Sequence, residues 1–175
     1  IEEGIDVSDE ASVRELAGRL GNERIDVLIN NAGIRACESL PQVDFDSIRL
    51  QFEVNALGPL RVTTALLARL NPGAKVGIVT SRMGSIADNT SGGMYGYRMS
   101  KAAVNMAGAS LAHDLRTRGI AVVLLHPGYV RTGMTGGHGN VGPADAASQL
   151  WARIDELTLE TSGRFVHANG EVLPW

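Results

Sequence analysis

A chain of 175 residues, 44% hydrophobic and 20% charged, has the apolar content of one ordinary globular domain and lies away from disordered compositions. Sixteen basic against nineteen acidic residues give a formal charge of −3, which excludes a general basic footprint for nucleic acid and a polybasic membrane patch. The longest apolar run, Ile120 to Leu125, is too short to cross a bilayer. The lone Cys37 excludes an internal disulfide framework and a cysteine-based metal site, so a cytoplasmic setting and no metal are expected.

Apolar runs alternate with helical patterns along the chain. Ile1 to Val7 reads as a short strand, and Ser8 as the cap of a helix from Asp9 to about Leu20, closed by Gly21. Ile25 to Ile29 is a buried-strand run that stops at Asn30-Asn31-Ala32-Gly33. Asp44 is a good N-cap for a long helical segment reaching about Leu70, ended by Asn71-Pro72-Gly73. Lys75 to Ser81 is a third strand, followed by a polar, glycine-rich loop from Gly84 to Gly93. Tyr97 to Arg118 reads as an alanine-rich helix, and Ile120 to His126 as the most apolar strand, stopped by Pro127-Gly128. Gly133 to Gly142 holds five glycines and reads as mobile; Pro143 opens a helix to about Leu157, and Phe165-Val166 forms a last short strand. Strands alternating with helices predict a doubly wound α/β fold with a parallel sheet covered on both faces. No repeat and no linker interrupts residues 1–175. In such sheets the ligand crevice lies beyond the carboxyl ends of the strands, where this chain carries small or polar residues.

Two features carry chemistry. Tyr97 and Lys101 are four apart, hence on one face of a helix, and lysine is scarce here: only Lys75 and Lys101 among sixteen basic residues. An ammonium beside a phenol favours the phenolate and turns a poor acid into a usable proton donor and acceptor. The bland reading of the pair is two surface residues on one helix. The second feature is Pro59, which lacks an N–H, so the backbone carbonyl of Asn55 loses its helical donor and stays free at a kink. An ordinary proline kink is the competing reading. Ser81, at a strand end, can offer a hydroxyl to a substrate oxygen. Ala103, Ala107 and Ser110 form a small-residue stripe that permits close approach of a second helix.

Taken together these residues resemble the short-chain dehydrogenase/reductase family. Asp6-Val7 is similar to its acidic-apolar adenine pair, and Asn30-Asn31-Ala32-Gly33 to its strand terminus. Asn55 stands where the family has its asparagine, Ser81 followed by Gly84 matches the serine motif, and Tyr97 with Lys101 matches Tyr-x-x-x-Lys. Pro127-Gly128-Tyr129-Val130-Arg131-Thr132 matches the Pro-Gly-x-Val-x-Thr segment. A narrower resemblance, through Thr80 to Ser85, Tyr97 to Ala103, Leu125 to Gly128 and Pro174-Trp175, is to the C-factor branch, itself similar to sniffer-type carbonyl reductases.

The resemblance implies a Rossmann-like fold and an oxidoreductase that interconverts a carbonyl and an alcohol with NAD or NADP. Its catalytic set would be Asn55, Ser81, Tyr97 and Lys101. Tyr97 would be the proton donor, Ser81 would hold the oxygen, and Lys101 would bind the nicotinamide ribose and lower the Tyr97 pKa. The Asn55 carbonyl would hold a water relaying to Lys101. Cofactor contacts would come from Asp6, Val7, Asn31, Ala32, Gly33, Tyr97, Lys101, Pro127, Val130 and Thr132. The family's habit also implies a dimer or tetramer. A signalling or interaction protein on the same scaffold, as in C-factor, is the alternative. No Gly-x-x-x-Gly-x-Gly turn precedes Asp6, so the N-terminal β-α-β part of the family fold is expected to be absent from residues 1–175, and weak, about millimolar, cofactor affinity is expected of this stretch alone.

Overall fold

The computed structural model describes residues 3–175. Four parallel strands stand side by side in chain order: β1 (Ile25–Asn30), β2 (Leu70–Val79), β3 (Ala121–His126) and β4 (Phe165–His167). Parallel neighbours require crossovers. These are supplied by α2 (Phe45–Phe52), a π-helical turn (Glu53–Leu57) and α3 (Gly58–Leu66), then by α4 (Tyr95–Asp114), then by α5 (Pro143–Asp155). A further helix, α1 (Glu10–Arg19), precedes β1.

β3 is buried at five successive positions, Ala121 to Leu125, as a strand covered on both faces must be. On one face Val76, Ile78 and Val122 pack with Val104 and Ala112 of α4 and with Ala56. On the other, Ala121, Val123 and Leu125 meet Ile154 of α5 and Leu157. α1 docks on α3 through Val13, Val62 and Leu66. Each buried valine, leucine and isoleucine among these contributes about 1.5–3 kcal/mol relative to leaving it in water. The doubly wound α/β reading thus holds.

The element boundaries differ from expectation in four places, each for a local reason. Glu3 to Val7 of the expected first strand is not a strand, because among the described residues β1 pairs only with β2; Ile1 and Glu2 lie outside the described residues. Asp9, not Ser8, caps α1 by accepting the Ala11 N–H at 2.9 Å, while the Ser8 hydroxyl donates to Asp6 at 2.6 Å. Asn71-Pro72-Gly73 does not end the long helix. It loops out of β2, whose Leu70 already pairs with Ile25 before pairing resumes at Lys75 with Val27. α4 starts at Tyr95 rather than Tyr97, and its 20 residues stop at Asp114 rather than Arg118. Its first turn is held from far away in sequence. The buried Glu38 carboxylate accepts the Gly96 N–H at 3.2 Å, and the Glu38 carbonyl accepts the Met94 N–H at 2.8 Å. A negative charge at a helix N-terminus is stabilising.

The free side of β1 leaves Ile29 43% exposed and opens on a cavity of about 290 Å³ lined by Ile5, Val7, Leu28, Pro59 and Val62. The glycine-rich stretch after β3 closes on itself: Arg131 N–H donates to the Val141 carbonyl, and Thr132 and Thr135 cap each other around a 3₁₀ turn at Gly133–Thr135. No helix among the described residues is long and apolar enough to cross a membrane.

Candidate active site

The carboxyl ends of β1, β2 and β3 open together into a cavity of about 920 Å³. The registers Asn30 with Ile78 and Val79 with Leu125 set those ends level. β2 ends at Val79, short of the Ser81 end expected from the sequence; Ser81, two residues further on, caps a 3₁₀ turn at Arg82–Gly84, its Oγ accepting the Met83 N–H at 3.1 Å. Gly84 lies flat against α4: a Cβ there would stand 2.7 Å from the Lys101 carbonyl carbon and 2.9 Å from its oxygen. Neither backbone can yield cheaply, so Gly84→Ala is expected to cost roughly 2–3 kcal/mol in urea unfolding. A loss under 0.5 kcal/mol would show that the turn slides away freely.

Tyr97 and Lys101 lie on the cavity side of α4, both buried, with the Lys101 Nζ 5.8 Å from the Tyr97 ring centroid. The Lys101 Nζ donates to the Val79 carbonyl at 3.0 Å, and burial lowers its pKa to about 8. Burial raises the Tyr97 pKa; a hydrogen bond with the Ser81 hydroxyl and the positive charge of Arg35 pull it back. The net direction is upward, against the lowering that the family resemblance assigns to Lys101, and the partial downward pulls come from Ser81 and Arg35.

The break expected at Pro59 takes the form of the π-helical turn, in which the Gly58 N–H reaches back to the Glu53 carbonyl. It presents the Asn55 side chain, fully buried, to the end of β1. Its Oδ1 accepts the Ile34 N–H at 2.8 Å, and its Nδ2 donates to the Ile34 carbonyl at 2.8 Å and to the Ser100 Oγ at 3.0 Å. A Cβ on Gly33 would stand 3.3 Å from the Asn55 Oδ1 and 3.6 Å from the Lys101 Nζ. The glycine thereby lets the chain pass between the two.

Asn31, Ala32, Gly33, Ser81, Tyr97, Lys101, Pro127, Val130 and Thr132 all line this cavity. Asp6 and Val7 do not. The Asp6 carboxylate accepts the Ser8 N–H and hydroxyl, which hold its pKa down, and Val7 packs under Gly58 with its carbonyl bonded to Arg61. His126 lines the cavity; burial pushes its pKa down to about 4, and its ring meets that of His167 edge-on at 4.9 Å. Among the described residues no three His, Cys, Asp or Glu side chains gather as metal ligands would. Sequence reasoning missed Arg35, Arg82 and Arg98 on the wall. The available signal was adjacency: each lies within two residues of Gly33, Ser81 or Tyr97.

A family model for short chain dehydrogenases matches residues 4–140. The chain belongs to the short-chain dehydrogenase family. This short-chain dehydrogenase is 50% identical to the 1-hydroxy-2-glutathionyl-2-methyl-3-butene dehydrogenase of Rhodococcus sp. (strain AD45), an alignment covering 100% of this chain and 80% of the relative. It is 48% identical to the C-signal of Myxococcus xanthus, over 93% of this chain and 100% of the relative. Among solved structures it superposes on the carbonyl reductase Sniffer of D. melanogaster with a TM-score of 0.92 at 31% identity, covering 99% of this chain and 77% of Sniffer. The NADPH-bound carbonyl reductase from chicken fatty liver gives 0.91 at 29%, covering 98% and 75%. The fold is therefore the Rossmann-like fold of this family, shorter than those reductases by about a quarter. The short-chain dehydrogenase is an oxidoreductase that uses a nicotinamide cofactor.

Proposed function

We propose that this enzyme interconverts a carbonyl and an alcohol on a small molecule through Ser81, Tyr97, Lys101 and Asn55, with NAD or NADP as cofactor. The observation that carries the reading is the meeting of a buried phenol, a buried ammonium and a serine hydroxyl at the wall of one cavity. The residues fit the nicotinamide end of the cofactor. The Lys101 Nζ spends one donor on Val79 and keeps two, and Gly33 leaves room beside it where a side chain would intrude. Pro127, Val130 and Thr132, with Asn31 and Ala32, line the same cavity. Asp6 and Val7 would meet the adenine end. The bound nicotinamide would supply or accept a hydride at the substrate carbon.

The rest is done by side chains of this chain. The Tyr97 phenol gives its proton to the carbonyl oxygen in reduction and takes it back in oxidation. The Ser81 hydroxyl, which acts on the phenol and pulls its pKa down, holds the same oxygen. The Lys101 ammonium would hold the nicotinamide ribose, and protons would reach it from solvent past Asn55. Asn55 fixes Ile34, and with it the floor beside Lys101.

Mixing the protein with NADH or NADPH and a panel of aldehydes and ketones should give carbonyl-dependent loss of the reduced-cofactor absorbance. A folded protein that consumes neither cofactor with any carbonyl would refute the reading. The second reading, a signalling role, is favoured by the match that spans all of C-signal; it predicts that outcome. The exposed Cys37 suits a cytoplasmic setting. Exposed Met106 beside Ala103, Ala107 and Ser110 on α4 suits pairing of two copies into a dimer or tetramer.

A further inference from the structure

The cavity wall around Tyr97 is unevenly charged. Arg35, Arg82, Arg98 and Lys101 line it, against one carboxylate, Asp88. Arg82 is balanced: its Nη2 bonds Glu171 at 2.8 Å, and its Nε stands 3.6 Å from the Asp88 Oδ2. Arg35 and Arg98 have no carboxylate partner among the described residues. Arg98 donates from Nη2 to the Ser91 hydroxyl at 2.9 Å, and its buried Nε has no partner at all. Arg35 donates from Nη2 to the Met134 carbonyl at 2.6 Å, which leaves its other N–H groups free. A buried, unpartnered guanidinium N–H is costly unless something accepts from it. Two guanidiniums without a carboxylate partner on the wall of one cavity make it attractive to an anion.

We infer that the substrate carries a carboxylate, held by Arg35 and Arg98 while its carbonyl or alcohol faces Tyr97. The inference rests on the oxidoreductase reading of this site and adds the substrate class. Guanidinium is the side chain suited to a carboxylate, since its planar N–H pairs match both oxygens. Both arginines line the same cavity as the phenol: Arg98 is the residue after Tyr97 on α4, and the positive charge of Arg35 acts on the Tyr97 hydroxyl. The bond from Arg35 to Met134 also ties the anion site to the glycine-rich stretch after β3. An arriving carboxylate would compete with that carbonyl for the same donor.

The test is titration calorimetry on the protein with 4-(hydroxymethyl)benzoate, its neutral methyl ester and inorganic phosphate, followed by turnover of both alcohols with NAD or NADP. The carboxylate should bind at least about tenfold tighter than the ester at low salt, and the preference should shrink as salt is added. In Arg98→Met and Arg35→Met the ratio of the two affinities should fall toward one. Arg98→Lys should restore part of it. Equal binding of acid and ester by the unaltered protein, or no binding of either, overturns the inference without recourse to a variant. Phosphate binding tighter than the carboxylate would make the site a phosphate site and overturn it too. A carboxylate preference without turnover of either alcohol leaves the anion site standing and refutes the oxidoreductase reading. Equal turnover of acid and ester does the reverse.

Discussion

Tyr97→Phe is expected to lower kcat for carbonyl reduction by roughly three orders of magnitude, within the range that a positioned proton donor supplies. Phenylalanine keeps the ring that packs at 7% exposure on α4, so the core is preserved and the unfolding midpoint should hold within a few degrees. What leaves is the hydroxyl, its bond to Ser81 and the proton. A merely structural tyrosine would give the opposite pattern, a shifted melting temperature with turnover intact. Ser81→Ala supplies a second readout. Burial holds the Tyr97 pKa up, and the Ser81 hydroxyl is the larger of the two forces pulling it back. Removing that hydroxyl should move the alkaline limb of the pH–rate profile to higher pH, beyond the fall in rate itself. Unchanged turnover in Tyr97→Phe would take the phenol out of the mechanism.

The site was legible where it follows from local rules. Strand ends that carry Asn31 to Gly33, Ser81 and Pro127-Gly128 stand level in the sheet because parallel strands in register bring them level. The i, i+4 spacing placed Tyr97 and Lys101 on one face, and the missing N–H of Pro59 marked a break, which the chain resolves as a π-helical turn that buries Asn55. Features decided by distant contacts were not legible. The start of α4 is set by Glu38, 57 residues before Tyr95, and nothing at Met94 or Tyr95 announces it. Asn71-Pro72-Gly73 has the composition of a helix stop, yet the pairing of Leu70 with Ile25 turns it into a bulge within β2. The influence of Arg35 on the phenol depends on the fold of the loop after Gly33, which no periodicity encodes.

Lys101→Met should separate stability from activity. Burial holds the Lys101 pKa at about 8 against an ordinary 10.5, so below pH 8 the folded protein carries a desolvated ammonium at a cost of about 3 kcal/mol. Between pH 8 and 10.5 the unfolded chain binds the proton that the folded chain has released, and stability must rise with pH across that window. Methionine has a similar length and no charge. It removes the cost and the pH slope together, and it forfeits the hydrogen bond to the Val79 carbonyl, worth about 1–2 kcal/mol. The variant should therefore be more stable than the parent by about 1 kcal/mol at pH 7 in urea unfolding, with the advantage gone by about pH 9 and reversed to a deficit of about 1–2 kcal/mol by pH 10.5, where only the lost hydrogen bond remains. Its turnover should fall by at least about two orders of magnitude, since the ribose hold and the proton path both end at the Lys101 Nζ. Such a trade is expected of a charge kept buried for chemistry rather than for folding. A variant that loses stability at pH 7 and keeps the alkaline rise would show that Lys101 is held by contacts stronger than its burial costs, and would leave another group responsible for the slope.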